Sequence, residues 1–464
     1  MLSCDSFAIP KWDSAFGQNI LVKNSDRPLG EAQPLVWIPG ASHKDGETLS
    51  CTHLTIPQAR ETYGVLGFKP YWIWGFEMGI NQWGVVIGNE AQGSRDCGET
   101  QEGLLGMDML RLGLERGKSA HEAMHVIIAM LEEYGQNANA SQLFDRRYEN
   151  SFLLMDSREI WLLETTGRRW AAKRVKKPLG ISNCYAIRED AEEMAADLET
   201  YSREKGWTAP GESFDFAKAC TKEALRQMQS VPRFRRLNKL LEEAPGGKPD
   251  FTYCKKICRD HFEGEILEPR FGAGCGTFVT ICMHAGAWDR AQTAASLMVS
   301  CHEELGIVVR AAFSIPCCSA YMPIYWSEFI PEPIQTGGER YAESSLWWTM
   351  ERLSMLVSID YERFSGRVRE TFDSLEEDFE REALENESIA TGYLRTGEKE
   401  KAFKVLNSQM ERHCARIMET AHRLSGEIVS AFGEETGIRG VRGEFLEEYS
   451  KRVGMPLLKE GPRE

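Results

Sequence analysis

The residue with the most promising chemistry lies at the very start of the chain. Cys4 opens the segment Cys4-Asp-Ser-Phe-Ala-Ile, which has the composition of a β-strand and follows only three residues. Removal of residues 1–3 would give Cys4 a free α-amino group in addition to its thiol. An α-amine has a pKa of about 7.7–8.0 and a thiol about 8.5, so the amine can accept the thiol proton near neutral pH. Cys4 is therefore a candidate nucleophile that needs no histidine.

The next predicted strand supplies possible support for Cys4. A cysteine by itself is more often a small buried apolar residue than a nucleophile. Residues 19–23 predict a strand, and Asp26 follows at its expected end, just before a proline that should stop the ladder. Across a hairpin, Asp26 would hold the α-amino group of Cys4, while Lys23 or Arg27 would favour the thiolate. The alternative interpretation of residues 24–26 is a polar turn.

A second candidate chemistry is a zinc site. His121-Glu-Ala-Met-His125 has the H-E-x-x-H pattern of zinc proteases, in which two imidazoles share a helix face and the glutamate acts as a base. Ser119 and Glu122 also form an S-x-x-E capping box, which explains the glutamate as a helix-start signal. No histidine in the next hundred residues offers a third ligand, although a glutamate would serve. We therefore interpret this segment as a capped core helix and predict no metal and no cofactor.

Other chemically active residues have ordinary interpretations. Cys254 and Cys258 are separated by three residues and have no second pair, and the vicinal Cys317 and Cys318 are interpreted as buried thiols. Trp74, with Glu77 three residues on, would line a substrate pocket in which Glu77 binds a substrate ammonium group. Aromatic packing between layers is the alternative for this stretch.

The elements that must position these residues form an ordered pattern. Short apolar runs broken by Pro, Gly, Asn and Asp predict strands, and apolar spacings of three and four predict helices. The predicted strands are residues 4–9, 19–23, 35–38, 49–56, 84–88, 151–155, 159–164, 170–175, 181–187, 276–283, 296–301 and 307–313. The predicted helices are residues 106–115 and 120–134, a helical stretch over 188–260, and long helices at 365–384 and 398–424. This order predicts a layered α+β sandwich with a helical appendage.

Composition narrows the class of protein. The 464 residues carry a formal net charge of −15, are 42% hydrophobic and 27% charged, and contain 13 cysteines without a disulfide framework. An acidic chain without a dense Lys/Arg stripe argues against a nucleic-acid partner. No apolar run is long enough for a membrane span, and the N-terminus lacks the features of a signal peptide. These observations predict a soluble, cytoplasmic protein with reduced thiols.

Several stretches resemble one family in strict order along residues 1–315. They are Cys4-Asp-Ser-Phe, Lys23-Asn-Ser-Asp-Arg-Pro28, Leu49-Ser-Cys-Thr52, Trp74-Gly-Phe-Glu-Met-Gly-Ile-Asn81, Gly84-Val-Val-Ile-Gly-Asn-Glu-Ala91, Leu105-Gly-Met-Asp108, Trp161-Leu-Leu-Glu-Thr165, Trp170-Ala-Ala172, Ile181-Ser-Asn183 and Ser296-Leu-Met-Val299. On these residues the chain resembles the secernin-type cysteine dipeptidases, a branch of the N-terminal nucleophile hydrolases. Ser6 departs from the threonine common in the family but keeps its hydroxyl.

The resemblance implies a fold and a processing event. It implies a four-layer αββα sandwich with the nucleophile on the first residue of an inner strand. Cleavage between Ser3 and Cys4 would remove residues 1–3 as a short propeptide. Residues 4–335 would form the hydrolase domain and residues 336–464 a mainly helical C-terminal region, over which the resemblance is weak.

The resemblance also implies roles for site residues. Asp26 matches the family's aspartate near the nucleophile, and Lys23 lies where more distant amidases have an arginine. Asn89 and Asn183 match amide side chains that face the tetrahedral intermediate, where each such donor contributes about 2.7–4 kcal/mol. Arg290 matches an arginine near a neighbouring strand, on a looser local pattern.

The implied function is hydrolysis of small peptides by a cysteine dipeptidase. Two alternatives remain open: a related hydrolase of linear N-acyl amides, and a non-hydrolytic regulatory protein whose acidic helical tail is a contact surface. Small peptides are the expected partners, membranes and nucleic acids are not, and homo-oligomerisation is left open.

Overall fold

A computed structural model describes residues 3–97, 103–222, 230–269, 279–286, 290–433 and 441–457, with the backbone alone for 432–433 and 441–443. The strands are β1 (Cys4–Ile9), β2 (Ile20–Pro28), β3 (Leu35–Ile38), β4 (Ala41–Ser42), β5 (Thr48–Ser50), β6 (Thr55–Pro57), β7 (Glu61–Thr62), β8 (Val65–Phe68), β9 (Met78–Asn81), β10 (Val86–Gln92), β11 (Glu149–Met155), β12 (Ile160–Thr166), β13 (Arg169–Arg174), β14 (Leu179–Ile181), β15 (Glu193–Met194), β16 (Ala291–His302), β17 (Gly306–Phe313) and β18 (Met322–Tyr325).

The helices pack around these strands. They are α1 (Gly106–Arg116), α2 (Ala120–Tyr134), α3 (Leu198–Glu204), α4 (Phe216–Cys220), α5 (Ser230–Glu242), α6 (Phe251–Cys258), α7 (Glu332–Gln335), α8 (Leu346–Ile359), α9 (Tyr361–Arg395), α10 (Lys399–Gly433) and α11 (Val441–Val453). Among the described residues, no helix is both long and apolar enough to cross a membrane.

Two antiparallel sheets form the centre of the structure. The six-stranded sheet has the order β14-β1-β2-β16-β17-β18, and the eight-stranded sheet has the order β15-β13-β12-β11-β10-β9-β8-β3. Successive side chains of a strand point to opposite faces. Ala8 and Leu21 accordingly join the large core cluster with residues of both sheets, whereas Phe7 and Val22 join the cluster formed with α5 and α6. The six-stranded sheet is therefore buried on both faces.

The second sheet is covered in the same way. Helices α1 and α2 pack on its outer face, where Met124 and Ile127 meet Phe152 and Trp161 in a separate apolar cluster. The layers therefore run helix, sheet, sheet, helix, which is one of the few ways to bury both faces of two sheets. This arrangement confirms the predicted αββα fold class.

The C-terminal helices share the core of the sandwich. Trp347 and Trp348 of α8 are fully buried, and the Trp347 indole N–H donates to the Ala294 carbonyl at 2.8 Å. The two 35-residue helices α9 and α10 pack against each other and against β18. Helix α7 ends at the predicted domain boundary, residue 335, which itself stays a prediction.

Several predicted elements differ from the structure for local physical reasons. Of the predicted strand 181–187, only Ile181 lies in a strand, as the last residue of β14. The chain then leaves the sheet, because the buried Glu164 carboxylate accepts the backbone N–H groups of Ala186 and Ile187. The predicted strand 49–56 divides into the β5–β6 hairpin. The helical stretch 188–260 is interrupted by β15, and residues 279–283 are not in a strand, while 276–278 lie outside the described residues.

The end of β2 also differs from the prediction. The sequence predicts that Pro28 ends the hydrogen-bonded pairing of β2 after Asp26, but β2 continues to Pro28. Strand β16 supplies the reason, since Asp26 pairs with Thr293 and Pro28 with Ala291. Asp26 therefore lies within β2, one residue past the last pair that β2 forms with β1, and is paired with β16 on the other side.

Candidate active site

The hairpin of β1 and β2 brings Cys4 and Asp26 into contact. Cys4 pairs with Ser25, so Asp26 is the next residue along the neighbouring strand. The Asp26 backbone N–H donates to the Cys4 sulfur at 3.3 Å. Only 5% of Cys4 is exposed, which places the thiol inside the protein rather than on its surface.

The backbone nitrogen of Cys4 has a polar partner. It donates to Asn183 Oδ1 at 3.1 Å, and Asn183 Nδ2 donates in turn to the Ala91 carbonyl at 2.8 Å. The Asn183 side chain thus bridges the start of β1 to β10 of the other sheet. An α-amino group produced at this nitrogen would face the same oxygen.

Arg233 of α5 completes this side of the site, and no sequence motif predicted it. Its guanidinium donates to Asn183 Oδ1 at 2.7 Å and to the Cys4 carbonyl at 3.1 Å, and it pairs with the Asp5 carboxylate. Arg233 and Asp5 are both buried. Through its two terminal nitrogens, the charged guanidinium holds the Cys4 carbonyl and the Asn183 side chain in place. Arg233 is 229 residues from Cys4 in the chain, and no local pattern marks it.

Asp26 is a buried carboxyl group with one unused oxygen. Oδ1 accepts from the Thr293 hydroxyl at 2.6 Å, whereas Oδ2 is buried without a hydrogen-bond partner among the described residues. Burial raises the pKa of Asp26 to about 8, against the opposing effect of the Arg233 charge. A cation placed beside Oδ2 would restore the charged form.

Lys23 lies on the same strand and faces the eight-stranded sheet. Its Nζ donates to the Asn89 carbonyl and to Glu90 Oε2, the latter at 3.2 Å, and lies 3.8 Å from Glu77 Oε2. Burial by itself lowers the pKa of Lys23, but the negative charges of the nearby Glu90 and Glu77 carboxylates raise it above its usual value. Lys23 is therefore a fixed buried cation in the site.

These surroundings keep the Cys4 thiol protonated while residue 3 is attached. Burial raises the pKa of Cys4 well above its usual value, and Lys23 opposes this effect. The nearby carboxylates Glu77, Glu90 and Asp26 add to the increase. A base at the Cys4 nitrogen would give the thiol proton a nearby acceptor.

Asn89 of β10 contributes its backbone carbonyl to the site, where it accepts from Lys23 Nζ, while its side chain contacts Asn150 of β11. Its Nδ2 lies 3.4 Å from Asn150 Oδ1, and its own Oδ1 is buried without a partner among the described residues. Gly88 precedes it, and a Cβ atom at Gly88 would lie 3.0 Å from the Lys23 Cδ. The missing side chain at Gly88 therefore lets Lys23 cross between the sheets to Asn89.

The three remaining predicted site residues have different positions. Glu77 joins the site but is already held by two cations, since its Oε1 lies 3.2 Å from Arg27 Nη1 and its Oε2 faces Lys23. Trp74 packs with the apolar cluster under α1, where the Arg111 guanidinium lies 3.9 Å from its ring. Arg290 is half-buried immediately before β16. Its part in the site stays a prediction.

Buried charge around the hairpin is unbalanced toward negative. Among the residues that the structure describes there, five buried carboxyl groups are accompanied by three buried cations; the acids are Asp5, Asp26, Glu31, Glu77 and Glu90, and the cations are Lys23, Arg27 and Arg233. A buried charge without a partner is costly, and carboxyl groups respond by retaining a proton. One additional cation at the Cys4 nitrogen would reduce this imbalance.

The structure places Glu193 of β15 beside the two histidines of the H-E-x-x-H segment, as a candidate third ligand that the sequence did not identify. Glu193 Oε1 lies 3.0 Å from His121 Nε2, and Glu193 Oε2 lies 3.3 Å from His125 Nε2. The predicted cap is also present, because Glu122 Oε2 accepts from the Lys118 N–H and Glu122 N–H donates to Ser119. Glu122 therefore serves the helix start. The group lies on α2, across the eight-stranded sheet from the layer that carries Cys4.

One cavity borders the Cys4 surroundings. A space of about 330 Å³ lies next to Asn183 and is also lined by Gln92, Cys184, Tyr185 and Phe234. A larger cavity, about 1200 Å³, lies between α5, α6 and α9, and charged side chains such as Lys255 line it. The smaller cavity is lined by Asn183, which accepts a hydrogen bond from the Cys4 nitrogen.

Residues 58–237 match the sequence profile of peptidase family C69. This segment, which is less than half of the chain, is therefore similar to the family. The matched segment contains Asn89, Asn183 and Arg233, whereas Cys4 and Asp26 precede it. A curated dipeptidase of Bifidobacterium longum (strain NCC 2705) is 28% identical over 235 residues, which cover 43% of this chain and 41% of that protein. The chain thus spans less than half the length of this curated relative.

Solved structures with low overall similarity include two hydrolases. A mutant of the conjugated bile acid hydrolase from Clostridium perfringens has a TM-score of 0.38 and 11% identity, covering 72% of this chain and 94% of that chain. The penicillin V acylase from Agrobacterium tumefaciens has a TM-score of 0.38 and 11% identity, covering 69% and 86%. Neither likeness bears on the substrate of this chain.

Proposed function

We propose that the protein is a cysteine dipeptidase whose nucleophile, Cys4, becomes the N-terminal residue when residues 1–3 are removed. The observation that carries this proposal is the unpartnered, buried Asp26 Oδ2 beside Cys4. A released α-ammonium group would provide the cation that this oxygen lacks. The similarity of residues 58–237 to peptidase family C69 supports cleavage of a peptide bond.

Proteolysis at Ser3–Cys4 is the first proposed step. Attack of the Cys4 sulfur on the Ser3 carbonyl carbon would give a thioester to residues 1–3 and leave a free amine on Cys4. Water would then hydrolyse the thioester, giving a carboxylate on Ser3 and restoring the thiol. Asn183 Oδ1 already accepts from the Cys4 nitrogen, so this amine would form within a prepared contact.

The catalytic cycle uses the new amine as its base. It accepts the thiol proton, and the thiolate attacks the carbonyl carbon of the scissile bond. Amide groups of Asn89 and Asn183, with backbone N–H groups, stabilise the oxyanion. The ammonium then gives its proton to the leaving amine. Water, activated by the amine, hydrolyses the thioester and regenerates Cys4.

A dipeptide fits the surroundings better than a protein chain does. Cys4 is almost fully enclosed, and the adjoining cavity of about 330 Å³ is at the lower end of the range for small-molecule sites. The curated relative is itself named a dipeptidase. We also propose a cytoplasmic location, which the free thiols of the described cysteines support.

The test combines intact mass and N-terminal sequencing with turnover of a dipeptide panel. We expect an active chain that begins at Cys4, and a Cys4→Ala chain that keeps residues 1–3 and hydrolyses nothing. Cys414→Ala, at a buried cysteine of α10, is the matched control and should retain turnover. A fully active protein that still begins with Met1 would refute the amine mechanism.

The same panel separates the two alternatives. Hydrolysis of N-acyl amides without hydrolysis of dipeptides would favour the linear-amide hydrolase. A processed, folded protein that hydrolyses neither class would favour the regulatory alternative.

A further inference from the structure

Four metal-binding side chains meet at a second place in the fold. His261, Cys282, His284 and Cys317 are all buried, and one ligand atom from each lies within 4.8 Å of the other three. We propose that these residues form a structural zinc site. This proposal does not depend on the chemistry of Cys4.

The distances between the ligand atoms suit a tetrahedral ion. His284 Nε2 lies 3.1 Å from His261 Nε2, 3.3 Å from Cys317 Sγ and 3.8 Å from Cys282 Sγ. With Zn–N of about 2.0–2.1 Å and Zn–S of about 2.3 Å, tetrahedral geometry separates ligand atoms by about 3.3–3.8 Å. The three distances from His284 Nε2, with all four ligand atoms within 4.8 Å of one another, agree with ligands of a single ion of this size.

The donor set indicates both the metal and its role. Two thiolates with two imidazoles favour zinc over magnesium or calcium, which take oxygen ligands. Four protein ligands complete a tetrahedral shell, as in structural sites, whereas catalytic zinc keeps a position for water. The burial of all four residues agrees with a closed site.

Outer contacts orient the ligands as they do in known metal sites. The Glu263 carboxylate lies 3.5 Å from His261 Nδ1, which leaves Nε2 directed at the other ligands. The Tyr361 hydroxyl lies 3.4 Å from Cys317 Sγ, and its ring packs edge-on against His284. Carboxylate–histidine and hydroxyl–sulfur contacts of this kind fix ligand geometry around zinc.

The site would brace the candidate active site. Met283, between two of the ligands, exchanges hydrogen bonds with Thr293 through its N–H and carbonyl, both at 3.0 Å. Thr293 donates to Asp26. The ion would therefore hold the segment on which the position of Asp26 depends. Tyr361 begins α9, so the same site also connects the sandwich to the C-terminal helices.

The sequence conceals this arrangement. Its nearest pair, Cys282 and His284, is separated by one residue, and the other two ligands come from distant segments. From the sequence alone, Cys317 and its neighbour Cys318 are interpreted as buried thiols. In the structure Cys318 lies outside the ligand set, although the two sulfurs are 3.7 Å apart.

Metal analysis of the purified full-length protein tests the proposal. We expect one zinc per chain, retained in a His121→Gln/His125→Gln variant that removes the surface histidine pair. Cys282→Ser/Cys317→Ser should lose it, whereas the matched control Cys318→Ser should keep it. The Cys4→Ala chain should bind the same amount, because the metal does not require a functional nucleophile.

Cobalt exchange provides a readout that does not depend on the folding of variants. Cobalt in the wild-type site should show the visible bands of a tetrahedral ion and the near-ultraviolet charge transfer of a thiolate ligand. Zinc-free wild-type protein, or loss of zinc only from the His121→Gln/His125→Gln variant, would overturn the proposal. A chain lighter by two hydrogens, with Cys282 and Cys317 joined as a disulfide, would overturn it as well.

Discussion

At the scale of single residues, the candidate site contains buried polar atoms that have no hydrogen-bond partner among the described residues. Asp26 keeps an unused oxygen, and Asn89 keeps another. An unsatisfied buried polar atom costs about 1–3 kcal/mol, so a folded chain tolerates such atoms where they serve another purpose. Here that purpose would be a ligand or the released amine of Cys4.

Asp26 gives the unprocessed chain a characteristic pH dependence. Its pKa rises from the usual 3.8 to about 8 in the folded chain, mainly through burial, so the folded state holds a proton that the unfolded state releases. Stability is therefore greatest at low pH in this window and falls as pH rises toward about 8. In a Cys4→Ala background, denaturant unfolding at about pH 5 and pH 8 should show this loss, and Asp26→Asn should reduce it.

Glu90, whose pKa burial raises to about 7, should leave part of this slope in the Asp26→Asn variant. An unchanged slope in Asp26→Asn would show that Asp26 is already ionised in the folded chain.

Arg233 and Asp5 form a buried ion pair, and breaking it should be costly. Arg233→Ala leaves the Asp5 carboxylate buried without its cation, and this loss is expected to lower the free energy of unfolding by about 3–5 kcal/mol. Arg235→Ala, at an exposed arginine of the same helix, is the matched control and should change little. Chemical denaturation of both variants measures the difference. Equal effects would mean that the pair contributes nothing specific.

At the scale of elements, the site depends on how closely β10 approaches β2. Lys23 crosses between the sheets because Gly88 has no side chain. The approach aligns Lys23 with the carbonyl of Asn89, and so joins the two sheets at the site. The distance between the two sheets thus determines the position of Lys23 in the candidate site as well as the packing.

Gly88→Ala should disturb this crossing without unfolding the protein. The new methyl group would lie 3.0 Å from the Lys23 Cδ, so Lys23 must move by a few tenths of an ångström. Misplacement on this scale is expected to lower kcat for dipeptides by about tenfold. Gly366→Ala, where a Cβ meets nothing within 4 Å, is the control and should retain full turnover. Unchanged kcat in Gly88→Ala would exclude a role for the Lys23 position.

At the scale of the whole molecule, the C-terminal helices are part of the hydrophobic core. Glu351 of α8 accepts hydrogen bonds from Gln292, Ser314 and Tyr449, and so connects α8 with β16 and α11. Helix α10 packs on the edge strand β18 and covers it. Removing this region would expose an apolar face and a strand edge together.

Two changes test how far the sandwich depends on these helices. Trp347→Ala should lower the free energy of unfolding by about 3–5 kcal/mol, because it empties a fully buried position. Leu384→Ala, at a side chain that is 71% exposed, should have little effect. Deleting residues 336–464 should give an aggregated chain. A soluble, active deletion product would instead support a separate interaction domain.

Local sequence determined the elements and the first candidate residue. Strand β1 and helix α2 have their predicted bounds, since alternation, apolar spacing and the Ser119 cap are properties of neighbouring residues. The hairpin partnership of Cys4 with the Lys23–Asp26 strand was also predictable, because β1 and β2 are adjacent in the chain.

Only the tertiary structure decided the contacts between distant segments. Arg233 reaches Cys4, Glu193 reaches the His121 pair, and Cys317 reaches His284 because packed layers bring those segments together. A local pattern contains no information about such distances. Pro28 illustrates the same limit, since its neighbour β16 extends the strand that a proline alone would end.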